Sequence, residues 1–150
     1  MTSPTSSAPA VGSVLADRYE IRERIGEGGY SVGYAAVDRE SGTDVAIKWL
    51  VVPPAGAEVA RVRMERESRA VRAIGHPHVV RVLDFVAHGP ATFIVMEGVD
   101  GPDLAERVRS GGPMSPAEAV AMVRNVAGAL AAAHERGILH RDVKPQNILL

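Results

Sequence analysis

Of 17 basic side chains only two are lysine, Lys48 and Lys144, and both stand where a compact ammonium could act on phosphate. A guanidinium is a larger planar fork, so a position shaped for one point charge does not accept it. Codon bias accounts for the scarcity of lysine and leaves the placement of these two unexplained. Lys48 ends the run Val45-Ala46-Ile47-Lys48, in the middle of an apolar strand pattern. A plain strand-edge lysine reaching solvent is the bland reading. The sharper one has a partner in Glu67, which falls in the helical row Ala60, Met64, Glu67, Val71 and Ile74. A carboxylate in such a row is costly unless a cation meets it. A Lys–Glu pair would settle that cost and hold the ammonium against phosphate oxygens. Glu65, two residues earlier, projects elsewhere.

A second phosphate-directed feature is the cluster Gly26-Glu27-Gly28-Gly29-Tyr30-Ser31. A dinucleotide fingerprint opens into a helix, whereas strand patterns lie on both sides here. Glycines in such a hairpin let backbone N–H groups approach phosphate oxygens with no Cβ in the way. By itself this pattern is weak and reads more readily as a plain flexible turn.

The segment His140-Arg141-Asp142-Val143-Lys144-Pro145-Gln146-Asn147 decides between these readings. It resembles the catalytic loop of protein kinases, and the glycine loop, the strand lysine and the helix glutamate precede it in the same order and register. The resemblance covers residues 15 to 150 and is that of a bacterial-type serine/threonine protein kinase. Lys144, two residues after the aspartate, selects the serine/threonine branch. The resemblance implies that Asp142 accepts or orients the proton of the substrate hydroxyl, that Lys144 steadies the γ-phosphate, and that Asn147 holds one Mg²⁺. It implies ATP contacts at Ile25, Gly26, Gly28, Gly29, Ser31, Gly33, Ala46, Lys48, Glu67, Met96, Glu97 and Val99. Met96 takes the gatekeeper position, and the backbone of Glu97 and Val99 faces the adenine edge. The cofactors implied are ATP and Mg²⁺, and the partner is a protein carrying Ser or Thr. A catalytically dead pseudokinase, acting as a nucleotide-binding scaffold, is the rival from another class. A small-molecule phosphotransferase is disfavoured, because His-Gly-Asp is usual there where Arg141 stands.

Three positions and one missing motif depart from the family pattern. Ser31 replaces a common third glycine at little cost. Gly33 replaces an apolar residue, usually Val, that covers the adenine ring; Val32 would substitute if the strand slipped by one. Gly98 replaces a usual aromatic and is expected to loosen the link between lobes. No Asp-Phe-Gly follows Asn147 in the sequence, so the chain is expected to be a fragment or a truncated product, inactive by itself.

The elements that must position these residues are legible in outline. Tyr19, Ile21 and Ile25 alternate with charged residues through Gly26, Tyr34 to Asp38 follows, and Asp44 to Leu50 puts Val45, Ile47 and Trp49 on one face and Ala46 and Lys48 on the other. Glu58 to Ile74 has helical spacing and His76-Pro77 closes it. Val79 to Val86 and Ala91 to Glu97 are two further strands. A short helix is expected near Asp103 to Ser110. Ser115-Pro116-Ala117-Glu118 then opens a long one as a capping box, with Val123, Val126, Leu130 and Ala133 on one side and Gly137 as its stop. The fold class implied is α+β and two-lobed. Residues 1–12 form a disordered tail, 13–97 an N-lobe of five antiparallel strands and one helix, 98–102 a hinge, and 103–150 the start of a helical C-lobe.

Composition excludes more than it assigns. A net charge of −1 gives no field that favours nucleic acid. The absence of cysteine removes disulfides and thiolate metal sites and suits a cytoplasmic location. No apolar run approaches the roughly 20 residues of a membrane helix. His76, His78, His88 and His134 lack an accompanying acid or thiol cluster and are read as satisfied or exposed histidines. Oligomeric state is not legible.

Overall fold

Large apolar residues alternate with small or polar ones along the first half of the chain, and this period builds a sheet. The structure is a computed structural model describing residues 8–28, 30–51, 54–88 and 91–150. Its strands are β1 (Val14–Leu15), β2 (Tyr19–Glu27), β3 (Ser31–Asp38), β4 (Asp44–Leu50), β5 (Val82–His88) and β6 (Ala91–Glu97). All pair antiparallel in the order β1-β2-β3-β4-β6-β5. The described residues thus make six strands where five were expected. The extra one is the two-residue β1, too short to carry a period, and the Gly12 N–H also donates to the Ile21 carbonyl at 2.8 Å. Residues 1–7 of the expected tail lie outside the described residues.

Two packed layers hold this first unit, residues 1–72 and 81–98. On one face Tyr19, Ile21, Val32, Tyr34, Ala36, Val45, Ile47, Trp49, Phe93 and Val95 are buried together. Trp49 stacks on Phe93 with ring centroids 5.8 Å apart, and Tyr19 meets Phe93 edge-on at 6.1 Å. Packing is therefore the role of Trp49, although its buried indole N–H finds no acceptor among the described residues. The other face packs Leu50, Val82 and Ile94 against Met64 of helix α1 (Ala57–Arg72). Ala60 and Val71 join that row, but the buried residue between Met64 and Val71 is Ser68 and not Glu67. Strict alternation also fails in β2. Register shifts between Ile21 and Glu23 and between Arg24 and Gly26 turn Ile25 outward, leaving it 58% exposed.

A second unit comprises residues 73–80 and 99–150. Helix α2 (Leu104–Gly111) is capped by Asp103, whose side chain accepts from the Glu106 N–H. Helix α3 (Pro116–His134) begins with the expected capping box: Ser115 Oγ accepts from Glu118 N–H and Glu118 Oε2 accepts from Ser115 N–H. Past its end Gly137 takes a φ of 71°, the left-handed conformation that glycine adopts without strain. Ala133 is buried while Val123, expected beside it, is 58% exposed. The apolar end of the chain is tied back to the start of α2, with Leu104 N–H donating to the Ile148 carbonyl and Leu150 N–H to the Pro102 carbonyl. No described helix is long and apolar enough to cross a membrane.

Candidate functional site

The catalytic-loop segment is a local construction. Arg141 takes a φ of 64°, a left-handed turn that few non-glycine residues adopt without a reason. The next N–H, that of Asp142, donates to His140 Nδ1 at 3.2 Å. Pro145–Asn147 then forms one 3-10 turn, with proline at a position where no N–H is needed. That turn carries Asn147 back onto Asp142, where its Nδ2 donates to the Asp142 carbonyl at 2.8 Å and to Oδ2 at 3.1 Å. Lys144 Nζ stands 2.9 Å from the same Oδ2.

This arrangement spares reactive atoms. Asp142 Oδ2 is engaged twice, whereas Oδ1 has no hydrogen-bond partner among the described residues, in a carboxylate whose side chain is 60% exposed. The hydrogen bond from Lys144, followed by that from Asn147, holds the Asp142 carboxyl below its ordinary range and therefore ionised. Asn147 Nδ2 makes both of these contacts, while the amide oxygen has no hydrogen-bond partner among the described residues and is available to a hard cation. Among the described residues no group of three acidic, histidine or cysteine side chains gathers as a metal cage. A cation at Asn147 would complete its shell with other oxygens.

In the first unit, the ladder puts Lys48 opposite Gly33 on β3 and Ile94 on β6, and Ala46 opposite Ala35 and Met96. Lys48 is exposed and Ala46 half-buried, on the face away from Trp49, as the strand pattern requires. Val32 pairs with Trp49 and is buried in the opposite layer. The strand has not slipped, so Val32 does not stand in for a side chain at Gly33. Gly26 and Gly28 are exposed at the β2–β3 turn, Ser31 is half-buried where β3 begins, and Gly29 lies outside the described residues.

The expected Lys48–Glu67 pair is not formed. Glu67 accepts from Arg63 Nε at 2.9 Å, and Lys48 takes part in no ion pair among the described residues. The Glu67 side chain is 60% exposed, so no desolvation penalty forces it toward the lysine. Glu65 is the less exposed carboxylate and pairs with Arg61 and Arg69. Gly98 stands close to β4 within the first unit. Its N–H donates to the Asp44 carbonyl at 3.3 Å, and a Cβ there would lie 2.8 Å from that same oxygen.

Arg81 carries no signal in the hydrophobic pattern, yet it is closely bound to Glu97. Its N–H donates to Glu97 Oε1 at 2.8 Å, its Nε to Oε2 at 3.0 Å, and its carbonyl accepts from Glu97 N–H at 3.0 Å. The backbone N–H leads the causes that lower the Glu97 carboxyl from its usual range. A register shift between Val82 and Asp84 hides this pairing from a period-two count. Val99, in the second unit, is 40% exposed.

Comparison with known proteins places these features in a family. The protein kinase domain model matches residues 19–150. The chain is 40% identical over 140 residues to the serine/threonine-protein kinase PknB of Mycobacterium leprae, covering 91% of this chain and 22% of that protein. It is 37% identical over 146 residues to PknD of Mycobacterium tuberculosis, covering 97% of this chain and 22% of that one. It thus spans about a fifth of these relatives. A crystal structure of the Mycobacterium tuberculosis PknI kinase domain superposes with a TM-score of 0.77 at 33% identity, covering 95% of this chain and 57% of that one. A structure of Rad53 in complex with AMP-PNP gives a TM-score of 0.78 at 28% identity, over 89% and 34% of the two chains.

Proposed function

The chain belongs to the protein kinase family, and from that premise we propose that it serves transfer of the γ-phosphate of ATP to Ser or Thr hydroxyls of a protein substrate. The observation that supports this best is the three-residue arrangement of Asp142, Lys144 and Asn147. Asp142 stays ionised and offers Oδ1 to the proton of an incoming hydroxyl. Lys144, held 2.9 Å from Asp142, keeps an ammonium beside that carboxylate, where a transferring phosphoryl group carries its charge. The free Asn147 oxygen is a ligand for Mg²⁺, which when bound neutralises charge on the phosphates. Lys48 and the backbone of Gly26 and Gly28 supply positive groups for the phosphates, and the small residues Gly33, Ala35 and Ala46 leave room for a flat base. The partner is a Ser/Thr-bearing protein, met in the cytoplasm.

Asp142→Asn tests the assignment in a form of the protein carrying a complete kinase domain. The expected result is a fall in phosphoryl transfer of about a hundredfold or more, with ATP affinity changed by less than about threefold. Equal losses in turnover and ATP binding would remove Asp142 from the catalytic role. The Glu67–Arg63 pair favours a second reading, a nucleotide-binding scaffold in which Lys48 is never recruited to Glu67. That reading requires Asp142→Asn to leave the protein's function intact.

A further inference from the structure

Among the described residues, two of the three non-glycine positions with positive φ are neighbours: Ala16 at 48° and Asp17 at 57°, both exposed in the turn between β1 and β2. The turn closes with a bond from Arg18 N–H to the Leu15 carbonyl at 3.0 Å. A tight hairpin turn with two left-handed central residues favours Asn-Gly or Gly-Gly. Aspartate tolerates that conformation, whereas alanine brings its Cβ against the following carbonyl. The turn is strained.

The segments on either side confine that strain to residues 16 and 17. After the turn Arg18 is fixed, since its Nε and Nη2 donate to Asp38 at 2.8 and 2.7 Å and its carbonyl accepts from Arg39 N–H at 3.0 Å. Before it, β1 is two residues long, and Val14 is 37% exposed. Gly12 N–H donates to the Ile21 carbonyl at 2.8 Å, Ile21 N–H donates to the Ser13 carbonyl at 2.9 Å, and Leu15 packs against the core. Ile21 is fully buried, so its backbone groups need a partner whenever β1 leaves.

We infer that β1 exchanges between two copies of this chain: residues 10–15 of one copy seat on β2 of the other, and reciprocally, in a two-fold dimer. Ala16 and Asp17 become extended, which removes the strain from two turns at once. The hydrogen bonds on Ile21 and the Leu15 contact are remade between copies. Water would satisfy the Ile21 backbone without replacing the apolar contact of Leu15, so a second copy is the occupant that fits. Two extended residues span about 7 Å, which sets the two β2 edges close together. A short hinge under strain favours such an exchange.

The chain has no cysteine, so single introduced cysteines report on pairing alone. Val14 and Glu20 are direct cross-strand partners. Val14→Cys and Glu20→Cys chains carrying different tags are mixed in urea, refolded together at high concentration and oxidised. The mixed disulfide is expected above its statistical ratio to the two symmetric ones. Adding Ala16→Asn and Asp17→Gly to both partners relaxes the closed turn and should lower the mixed yield about tenfold. Light scattering on chains without cysteine gives a second measurement. Asp17→Pro cannot take the left-handed φ and should be dimeric, whereas the Ala16→Asn/Asp17→Gly chain should be monomeric. A mixed disulfide at or below its statistical ratio, or a yield unchanged by the relaxed turn, overturns the inference. If the cysteine variants fail to fold, light scattering decides it alone, and equal masses for the two turn variants overturn it.

Discussion

Replacing Gly98 by alanine should destabilise the first unit, although the backbone φ there lies outside the left-handed region and would accept a side chain. The added Cβ would stand 2.8 Å from the Asp44 carbonyl oxygen, 3.0 Å from its carbon and 3.3 Å from Asp44 Cβ. Two of these atoms are backbone, so no rotamer change relieves the overlap. Either β4 shifts at its first residue or residue 98 moves away, and the second route breaks the 3.3 Å bond from Gly98 N–H to Asp44. Overpacking of this kind costs about 1–3 kcal/mol, and a lost hydrogen bond about 1 kcal/mol. The lower entropy of the unfolded alanine chain offsets about 0.4–1 kcal/mol. The expected net loss is about 2 kcal/mol. With a urea dependence of about 2 kcal/mol per molar, the midpoint should fall by about 1 M. Trp49 is the only tryptophan in the sequence and lies buried on β4, the strand that must yield, so its fluorescence reports the transition directly. Gly33→Ala in the same sheet is the control: its Cβ meets nothing closer than 3.5 Å, and the midpoint should rise slightly. If Gly98→Ala matched Gly33→Ala, the close approach at Asp44 would not be what holds residue 98.

Three further outcomes are expected. Lys48→Arg should lower phosphoryl transfer about tenfold or more in a form carrying a complete kinase domain, because a planar fork does not replace one ammonium; steady-state kinetics retaining most of the activity would place Lys48 in solvent. Arg18 holds Asp38 by two hydrogen bonds, 2.8 and 2.7 Å long, and keeps the buried Asp38 carboxyl far below its ordinary range. A lowered folded-state pKa contributes stability above the unfolded value, and that contribution disappears as pH falls through the folded value. Arg18→Met should therefore lower stability at neutral pH and move acid unfolding to higher pH, and superimposable acid-unfolding curves would show that the pair contributes nothing. Ser115→Ala removes one half of the capping box and should cost about 1 kcal/mol of α3 stability, read as faster amide exchange in the first turn of α3; unchanged exchange there would assign the cap no role.

Local features were legible in the sequence because their causes are local. The loop from His140 to Asn147 is contiguous, and one proline-started turn brings Asn147 onto Asp142 without help from distant residues. The capping box at Ser115 closes within four residues. The faces of β4 follow from a period of two that no bulge interrupts, which is why the sequence alone separates Lys48 and Trp49 onto opposite sides.

Partner choice and close approach were decided by the tertiary structure. Glu67 has Arg63 one helical turn before it and Lys48 on another strand, and its exposure lets the near arginine prevail. Ser68 enters the buried row of α1 because its hydroxyl donates to the Glu65 carbonyl within its own helix, which makes a polar residue acceptable there. Ile25 faces outward because two register shifts in β2 break the alternation, and bulges leave little trace in a hydrophobic pattern. The close approach of Gly98 to Asp44, 54 positions away along the chain, leaves no mark in the sequence. The sequence by itself determined which residues could do chemistry and on which elements they lie. The contacts that hold, free or crowd those residues depend on distances between strands and helices, and only the folded chain sets those.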